Sequence, residues 1–452
     1  MIGPAASALR LLGCVALAAL VYATAPGPEN LRTGLALFAL IGALWMTQAL
    51  HLSVTALLVP LLAVLGGLSD VRSALAPFAH PILFLFLGGF ALATALHQHG
   101  LDQRLAQAVL RLAGGRRRRA VLLLFALTAG LSMWISNTAT AAMMLPLALG
   151  LLRDDDGPSE RVFVLLGVAY SASIGGIGTL VGSPPNAIAA AQAGIGFAEW
   201  MRIGLPLVLL LMPLMVGVLF LMLRPQLSGQ ARAPSSPAGT PAKARGLTPP
   251  QRLTLVIFGL TAAGWVLAAP LGALLGVQAD LDSLVAVAAL VALVATGVLR
   301  WPDIEAGTQW GVLLLFGGGL ALSETMARSG ASGYLAGALT AALQQAPTLL
   351  LLLGVVAFVV FLTELVSNTA SAALLVPIFV GVAASLGLPP PLFAAAIAVS
   401  ASCAFMLPVA TPPNAIVYAT EQVPQAQMMR CGLVLNLVCI VTITLLAWAV
   451  FT

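Results

Sequence analysis

Apolar stretches long enough to cross a membrane recur along this chain. A helix needs about 20 apolar residues to span the roughly 30 Å hydrocarbon core of a bilayer. Of the 452 residues, 60% are hydrophobic and only 8% are charged, whereas about 25% are charged in a typical soluble domain. The clearest stretches are Leu11–Ala25, Leu35–Leu50, Leu205–Leu223, Leu255–Leu275, Leu284–Leu299 and Leu433–Val450.

These stretches are continuous rather than alternating, which predicts helices and not the strands of a β-barrel. The sequence therefore predicts an all-α polytopic membrane protein with about eleven transmembrane helices and shorter re-entrant pieces.

The basic residues are distributed unevenly over the predicted loops. Most of the twenty lie on one side of the membrane, including the run Arg116–Arg119. Only four fall on the other side: Arg32, Arg72, Arg202 and Arg328. Because basic loops stay in the cytoplasm, this asymmetry predicts a bacterial inner-membrane protein with a cytoplasmic N-terminus. The arginine run is interpreted as a topology determinant, so no nucleic-acid partner is expected.

The second half of the chain repeats the first. Three segments recur in the same order, at offsets of 231, 228 and 229 residues: Ser136–Ala139 with Ser367–Ala370, Gly182–Ile188 with Ala410–Ile416, and Leu85–Gly89 with Leu314–Gly318. Basic residues flank the first Ser-Asn-Thr segment, whereas only Arg328 precedes the second. The halves are therefore predicted to be inverted across the membrane, an architecture typical of carriers.

The repeated segments contain polar and helix-breaking residues at membrane depth. Ser-Asn-Thr must find partners there, and a Pro-Pro pair interrupts a helix because each proline removes a donor and clashes with the preceding turn. Broken helices are tolerated where they line a cavity. The two halves are thus predicted to enclose a polar chamber of hydroxyls, amides and carbonyls. Neither motif contains Lys or Arg, so the chamber is predicted to lack fixed charge and to bind Na⁺ together with an anion.

These segments resemble the divalent anion:sodium symporter family, which includes sodium-coupled dicarboxylate, citrate and sulfate carriers. The resemblance extends from about Leu35 to the C-terminus and is carried by Ser132–Pro146, Phe361–Ala370, Leu407–Ile416, Trp301–Ile304 and Gly311–Leu322. It implies eleven spans, two re-entrant hairpins and a homodimer in which transport domains move like elevators past a fixed scaffold.

The resemblance also implies a division of the chain. Scaffold helices occupy 1–115 and 252–345. The segment 224–251 is rich in Pro, Ser, Ala and basic residues, and this composition by itself predicts a flexible cytoplasmic linker. The transport domain takes its first part from 116–223, with a hairpin at 120–151, a broken helix at 161–195 and the following span. Its second part is 346–452, with a hairpin at 347–383, a broken helix at 389–420 and the last span.

Site residues follow from the same resemblance. The first Na⁺ site is expected at Ser132, Ser136, Asn137 and the Gly182 carbonyl, and the second at Thr363, Asn368 and the Ala410 carbonyl. The substrate is expected to contact Asn137, Thr138, Ser183, Asn368, Thr369, Thr411 and Pro412.

The chain departs from many relatives at Gln48 and His51, where they carry Glu and Pro. This departure is expected to affect the scaffold without touching the site. Glu364, an acid within an apolar segment, has two interpretations: a cation- or proton-coupling group, or a structural hydrogen-bond acceptor within the hairpin.

The expected function is import of C4-dicarboxylates such as succinate, malate or fumarate, coupled to Na⁺ as a co-transported ion. A sodium-independent exchanger and a sulfate or tricarboxylate carrier of the same fold remain open. An intramembrane enzyme is a remote alternative, because no HExxH, GxSxG or aspartate dyad lies in a predicted span. The chain is therefore not expected to be an enzyme, and its expected partners are a dianion, Na⁺, lipid and a second copy of itself.

Overall fold

The computed structural model describes residues 4–227, 246–277, 279–343 and 347–451, and its regular secondary structure there is entirely helical. Most of the predicted linker at 224–251 lies outside the described residues. The helices of the first half are α1 Pro4–Thr24, α2 Glu29–Thr47, α3 Leu52–Leu65, α4 Val71–Leu75, α5 Pro81–Gln98, α6 Leu101–Arg111, α7 Arg117–Ser132, α8 Asn137–Leu151, α9 Pro158–Gly175, α10 Pro184–Ala193 and α11 Phe197–Leu223.

The second half has the same order of helices from α3 onward. They are α12 Pro249–Val266, α13 Ala268–Leu275, α14 Leu281–Ala295, α15 Trp301–Gly307, α16 Trp310–Ser329, α17 Ala331–Leu343, α18 Thr348–Thr363, α19 Asn368–Ser385, α20 Pro390–Ser402, α21 Pro412–Tyr418 and α22 Gln425–Phe451. Helix α1 precedes the repeat and has no counterpart among the described residues of this half.

Among the described residues, seven helices are long and apolar enough to cross a membrane, or eight if the bent pair α12 and α13 counts as one span. Hairpins and broken helices supply several shorter apolar segments. The prediction of an all-α polytopic membrane protein is therefore confirmed.

The two halves pack against each other in a reciprocal way. Helix α5 contacts α14, and its counterpart α16 contacts α3, which is the counterpart of α14. In the same way α10 packs against α19 and α20, while α21 packs against α8 and α9. Such paired contacts are those that a twofold relation between the halves produces.

The broken helices α9 and α20 lie at the centre of the bundle. Every residue from Val162 to Gly175 is buried, and so is every residue from Phe393 to Ser402. A short 3-10 helix, Gly176–Gly178, follows α9 directly. Beyond it, and beyond the end of α20, the backbone is irregular until a Pro-Pro pair begins the next helix, with Pro184 or Pro412 at its first position. Proline is well placed there, because the first helical residue has no intrahelical acceptor for its N–H.

Glycines allow the two halves to approach closely. A Cβ at Gly88 of α5 would lie 2.5 Å from the carbonyl oxygen of Ala286 in α14. A Cβ at Gly318 of α16 would likewise lie 2.5 Å from the Cβ of Ala56 in α3. The recurring segments Leu85–Gly89 and Leu314–Gly318, each ending in Gly-Gly, therefore mark the crossings between the halves.

We predict that Gly88→Ala destabilises the protein by about 1–3 kcal/mol, because the added methyl group forces α5 away from α14. Gly217→Ala is the matched control, since a methyl group on that helical glycine of α11 would have nothing within 4 Å of it. Thermal unfolding of both variants in detergent measures the difference. Equal midpoints would contradict the close crossing.

Candidate functional site

Each hairpin turns at its Ser-Asn-Thr segment. Helix α7 ends at Ser132 and α8 begins at Asn137, and Ser136 Oγ accepts a hydrogen bond from Ala139 N at 3.3 Å, as an N-cap serine does. The second hairpin turns in the same way between Thr363 and Asn368. Asn137 and Asn368 thus stand at the first helical position after each turn.

A cluster of oxygen atoms lies behind the first turn. One end of the Asn137 amide lies 2.6 Å from Ser132 Oγ, 3.1 Å from Ala172 O and 3.2 Å from Gly182 O. Ser132 Oγ itself lies 2.7 Å from Ala172 O. With the amide oxygen in this position, several acceptors share one hydroxyl hydrogen. Rotation of the amide by 180° would supply donors, and a bound cation would also satisfy the oxygens.

The second half repeats this cluster. Thr363 Oγ1 lies 2.7 Å from Asn368 Oδ1 and 2.8 Å from Ala401 O. Ala401 follows Ala172 by 229 residues, so the same backbone carbonyl takes part in both halves. Oxygen ligands without fixed charge suit a hard cation.

The non-helical loops between the broken helices are held by the asparagines of the Pro-Pro-Asn segments. Asn186 Nδ2 donates to Gly176 O at 2.8 Å and to Thr179 O at 2.7 Å. Asn414 Nδ2 donates to Ala404 O and Leu407 O, both at 3.1 Å. Both asparagines are fully buried. They stabilise the loops whose carbonyls and amides surround the chamber.

Glu364 follows Thr363 at the second turn and is buried. Its Oε1 accepts hydrogen bonds from Phe405 N at 2.7 Å and Met406 N at 2.9 Å, and its Oε2 accepts one from Leu407 N at 3.1 Å. Asn436 Nδ2 also donates to Oε1 at 2.8 Å. These contacts favour the structural interpretation of this acid, as the acceptor that orders the loop after α20.

A chamber of about 640 Å³ lies between the two turns and the two Pro-Pro breaks. All of the residues expected to contact the substrate line it: Asn137, Thr138, Ser183, Asn368, Thr369, Thr411 and Pro412. Of the expected cation ligands, Ser136, Gly182 and Ala410 also line it, whereas Ser132 and Thr363 are buried behind it.

Two of the hydroxyl groups that line the chamber, those of Thr411 and Ser183, have hydrogen-bond contacts within the protein. Thr411 Oγ1 accepts from Asn414 N at 3.3 Å and so caps α21. Ser183 Oγ lies 3.4 Å from Ser402 Oγ. Their side chains fix the start of each helix at the wall of the chamber.

Two sequence-based expectations about the chamber are wrong. Gln48, expected to lie away from the site, lines the chamber together with Thr47 and Gln309. The chamber also contains a fixed charge, because Arg10 of α1 lines it. Sequence reasoning missed Arg10 because it lies outside both repeated motifs, on a helix that the repeat does not contain. His51 caps α3 by accepting from Ser53 N at 3.3 Å.

The tips of the two hairpins have different surroundings. Trp134 stacks on Trp265 of α12, with ring centroids 6.1 Å apart and planes inclined by 7°, and also contacts Phe197 and Phe258. The equivalent residue of the second tip, Leu365, is 74% exposed and lines the chamber. One tip is therefore packed against the neighbouring helices, and the other is open.

A family model described as citrate transporter, CitMHS, matches residues 43–390 and 281–452. The chain belongs to this family. A relative from Haemophilus influenzae named as an uncharacterized transporter is 49% identical over 433 residues, which covers 94% of this chain and 92% of the relative. The sodium-dependent dicarboxylate transporter SdcS of Staphylococcus saprophyticus is 30% identical and covers 93% of this chain and 87% of its own length.

These relatives confirm the predicted resemblance to the divalent anion:sodium symporters. Among solved structures, the YdaH transporter of Alcanivorax borkumensis superposes with a TM-score of 0.58 over 88% of this chain and 98% of its own, at 17% identity. At that identity the likeness concerns the fold alone. The family and its relatives are transporters.

We predict that Glu364→Gln destabilises the protein by about 1–3 kcal/mol, because the one amide oxygen can replace only one carboxylate oxygen and at least one backbone N–H of the loop then loses its acceptor. Glu305→Gln, at an exposed position, is the matched control. The measurement is the thermal midpoint in detergent. A Glu364→Gln protein with an unchanged midpoint but altered ion coupling would instead favour the coupling interpretation.

Proposed function

We propose that this chain is a secondary transporter that imports small divalent anions, C4-dicarboxylates such as succinate, malate or fumarate, together with Na⁺. The observation that carries the proposal is the pair of equivalent oxygen clusters beside one shared chamber. Each cluster joins a hydroxyl, an asparagine amide and a helix carbonyl. Two hard-cation sites on either side of one anion would balance the two charges of a dicarboxylate.

The first cation would be held by Ser132, Asn137 and the carbonyls of Ala172 and Gly182, with Ser136 nearby at the turn. The second would be held by Thr363, Asn368 and the carbonyl of Ala401, with the Ala410 carbonyl at the chamber wall. The substrate would contact the amides and hydroxyls of the two turns, and the helix starts at Ser183 and Pro412. The N-terminal end of a helix carries partial positive charge, so the start of α10 is suitably placed for a carboxylate.

The movement would follow the division expected from the sequence. The hairpins, broken helices and spans of 116–223 and 346–452 would form a transport domain, which would slide past a scaffold of 1–115 and 252–345 in a homodimer. The packed tip at Trp134 and the open tip at Leu365 support alternating access, because a carrier must close one side of its site while opening the other. The distribution of basic residues supports a location in a bacterial inner membrane, with the N-terminus in the cytoplasm.

The names of the relatives support the substrate class. SdcS is named for sodium-dependent dicarboxylate transport, whereas the family model is described as a citrate transporter. A tricarboxylate is therefore the second candidate substrate. The uptake experiment described next also tests sulfate as a substrate and sodium-independent exchange as the mechanism.

We predict that radiolabelled succinate enters proteoliposomes containing the purified protein when an inward Na⁺ gradient is imposed, and not when K⁺ or H⁺ replaces it. Unlabelled malate, citrate and sulfate in excess would rank the substrates by competition. Uptake that ignores Na⁺ but requires internal succinate would replace symport with exchange.

We predict that Thr363→Val raises the Na⁺ concentration for half-maximal uptake by about tenfold, which corresponds to about 1.4 kcal/mol of lost cation binding. The isosteric change removes one oxygen ligand. Thr128→Val is the matched control. This buried threonine of α7 lies one turn before Ser132 of the first cluster, and it donates to Leu124 O at 2.7 Å. Similar Na⁺ dependence in both variants would remove Thr363 from the site.

We predict that Asn137→Ala and Asn368→Ala each reduce uptake to background while the purified protein remains folded and elutes like the wild type. Each asparagine is proposed to serve both a cation and the substrate. Wild-type uptake by both variants would contradict the assignment of the chamber as the transport site.

A further inference from the structure

Arg10 is the one charged residue among the described residues that line the chamber. It lies on α1, which stands outside the twofold repeat, and the described residues of the second half supply no arginine to the lining. The neighbouring polar residues of the lining, Thr47, Gln48 and Gln309, are neutral. No carboxylate therefore compensates the guanidinium within this lining.

We propose that Arg10 binds the anion while the chamber faces the cytoplasm, and that it acts on this side of the membrane only. The inference rests on the proposed function. It adds a side-specific positive charge to a site whose other groups are hydroxyls, amides and backbone dipoles.

The Arg10 guanidinium has more N–H donors than its one hydrogen bond uses. Arg10 Nη1 donates to Thr47 O at 3.2 Å, at the C-terminal end of α2, and the side chain is exposed. This contact holds the side chain at the chamber wall, and no further partner of Arg10 occurs among the residues that the structure describes. A guanidinium has five N–H donors in a planar fork that matches a carboxylate. The remaining donors are thus available to an anion.

A single positive charge in this position attracts an anion into the chamber. The chamber walls are protein of low dielectric constant, and a cleft of this kind focuses the field of a charge and raises the local concentration of oppositely charged substrate. If one carboxylate of a dicarboxylate contacts the asparagine turns, its second carboxylate is available to contact Arg10.

The effect is confined to one side because of where Arg10 is attached. Helices α1 and α2 belong to the proposed scaffold, whereas the asparagine turns belong to the moving part. The scaffold residues at this wall lie at helix ends that the charge map assigns to the cytoplasm: Arg10 near the start of α1, Thr47 at the end of α2 and Gln309 before α16. When the transport domain moves outward, the turns leave Arg10 behind.

The alternative is that Arg10 serves only to cap α2, since basic side chains often bond the last carbonyls of a helix. Arg32 provides the comparison. Its Nε donates to Tyr22 O at 2.9 Å, near the end of α1, and its guanidinium lies 4.7 Å from the Tyr22 ring centroid. It therefore bonds a carbonyl of the same helix pair, yet it is not part of the chamber lining.

The test compares succinate transport from the two faces. Inside-out membrane vesicles present the cytoplasmic face to labelled succinate, and right-side-out vesicles present the external face. For Arg10→Gln we expect the KM at the cytoplasmic face to rise about tenfold, equivalent to about 1.4 kcal/mol, while the external KM changes by less than about twofold. Arg10→Lys keeps the charge and should keep most of the cytoplasmic affinity. Arg32→Gln should leave both values unchanged.

A second variant, Gln48→Glu, tests the same role of Arg10 and retains the hydrogen bond from Arg10 to Thr47 O. A carboxylate placed beside Arg10 in the chamber should raise the cytoplasmic KM in the same direction, and this increase should shrink at high ionic strength because salt screens exposed charges. It also covers the case in which Arg10→Gln fails to fold.

The outcomes separate the two proposals. Wild-type vesicles that transport no dianion would overturn the proposed function and this inference with it. Wild-type transport combined with an unchanged cytoplasmic KM in Arg10→Gln or, if that variant does not fold, in Gln48→Glu would overturn the role of Arg10 alone. Equal changes at both faces would also overturn it, because a side-specific residue cannot produce them.

Discussion

Two stretches of non-helical backbone lie inside this helical bundle, and their polar groups must be satisfied without bulk water. In the first half, Asn186 and the indole of Trp200 bond the loop carbonyls, Trp200 Nε1 donating to Ile177 O at 2.9 Å. In the second half, the carboxylate of Glu364 accepts from the loop amides. The rest of the chamber depends on these contacts, since the loops present the carbonyls and helix starts to its interior.

The halves therefore reach the same backbone arrangement with different chemistry. An asparagine in the helix after each loop, Asn186 or Asn414, is retained, but Glu364 has Met133 at the equivalent position of the first half. There, Thr179 Oγ1 donates to Met133 O and links the loop to the hairpin turn. A duplicated fold can diverge in this way because each loop needs its donors and acceptors satisfied, not a particular partner.

Much of the fold and of the site followed from the sequence, because both depend on local patterns. Apolar run length predicted the membrane helices, and the duplicated Ser-Asn-Thr and Pro-Pro-Asn segments predicted residues that line the chamber. The carbonyls of Ala172 and Ala401, which accept hydrogen bonds from Ser132 and Thr363, were missed, since the contact of a backbone carbonyl leaves no signature in its side chain. Arg10 and Gln48 were missed because their place in the wall arises from how α1 and α2 pack, which no repeat or spacing records.

The unequal tips of the hairpins bear on the energy of the transport cycle. Trp134 contacts three aromatic rings, including the nearly parallel indole of Trp265. Closing the opposite side would bury only the smaller, aliphatic side chain of Leu365. Buried aromatic pairs contribute about 0.5–1.5 kcal/mol beyond their burial. In the proposed transport cycle, a difference of this size would favour the form of the empty carrier in which Trp134 is packed and Leu365 is open. Ion and substrate arriving at the opposite face would then act by capturing the rarer form of the proposed carrier.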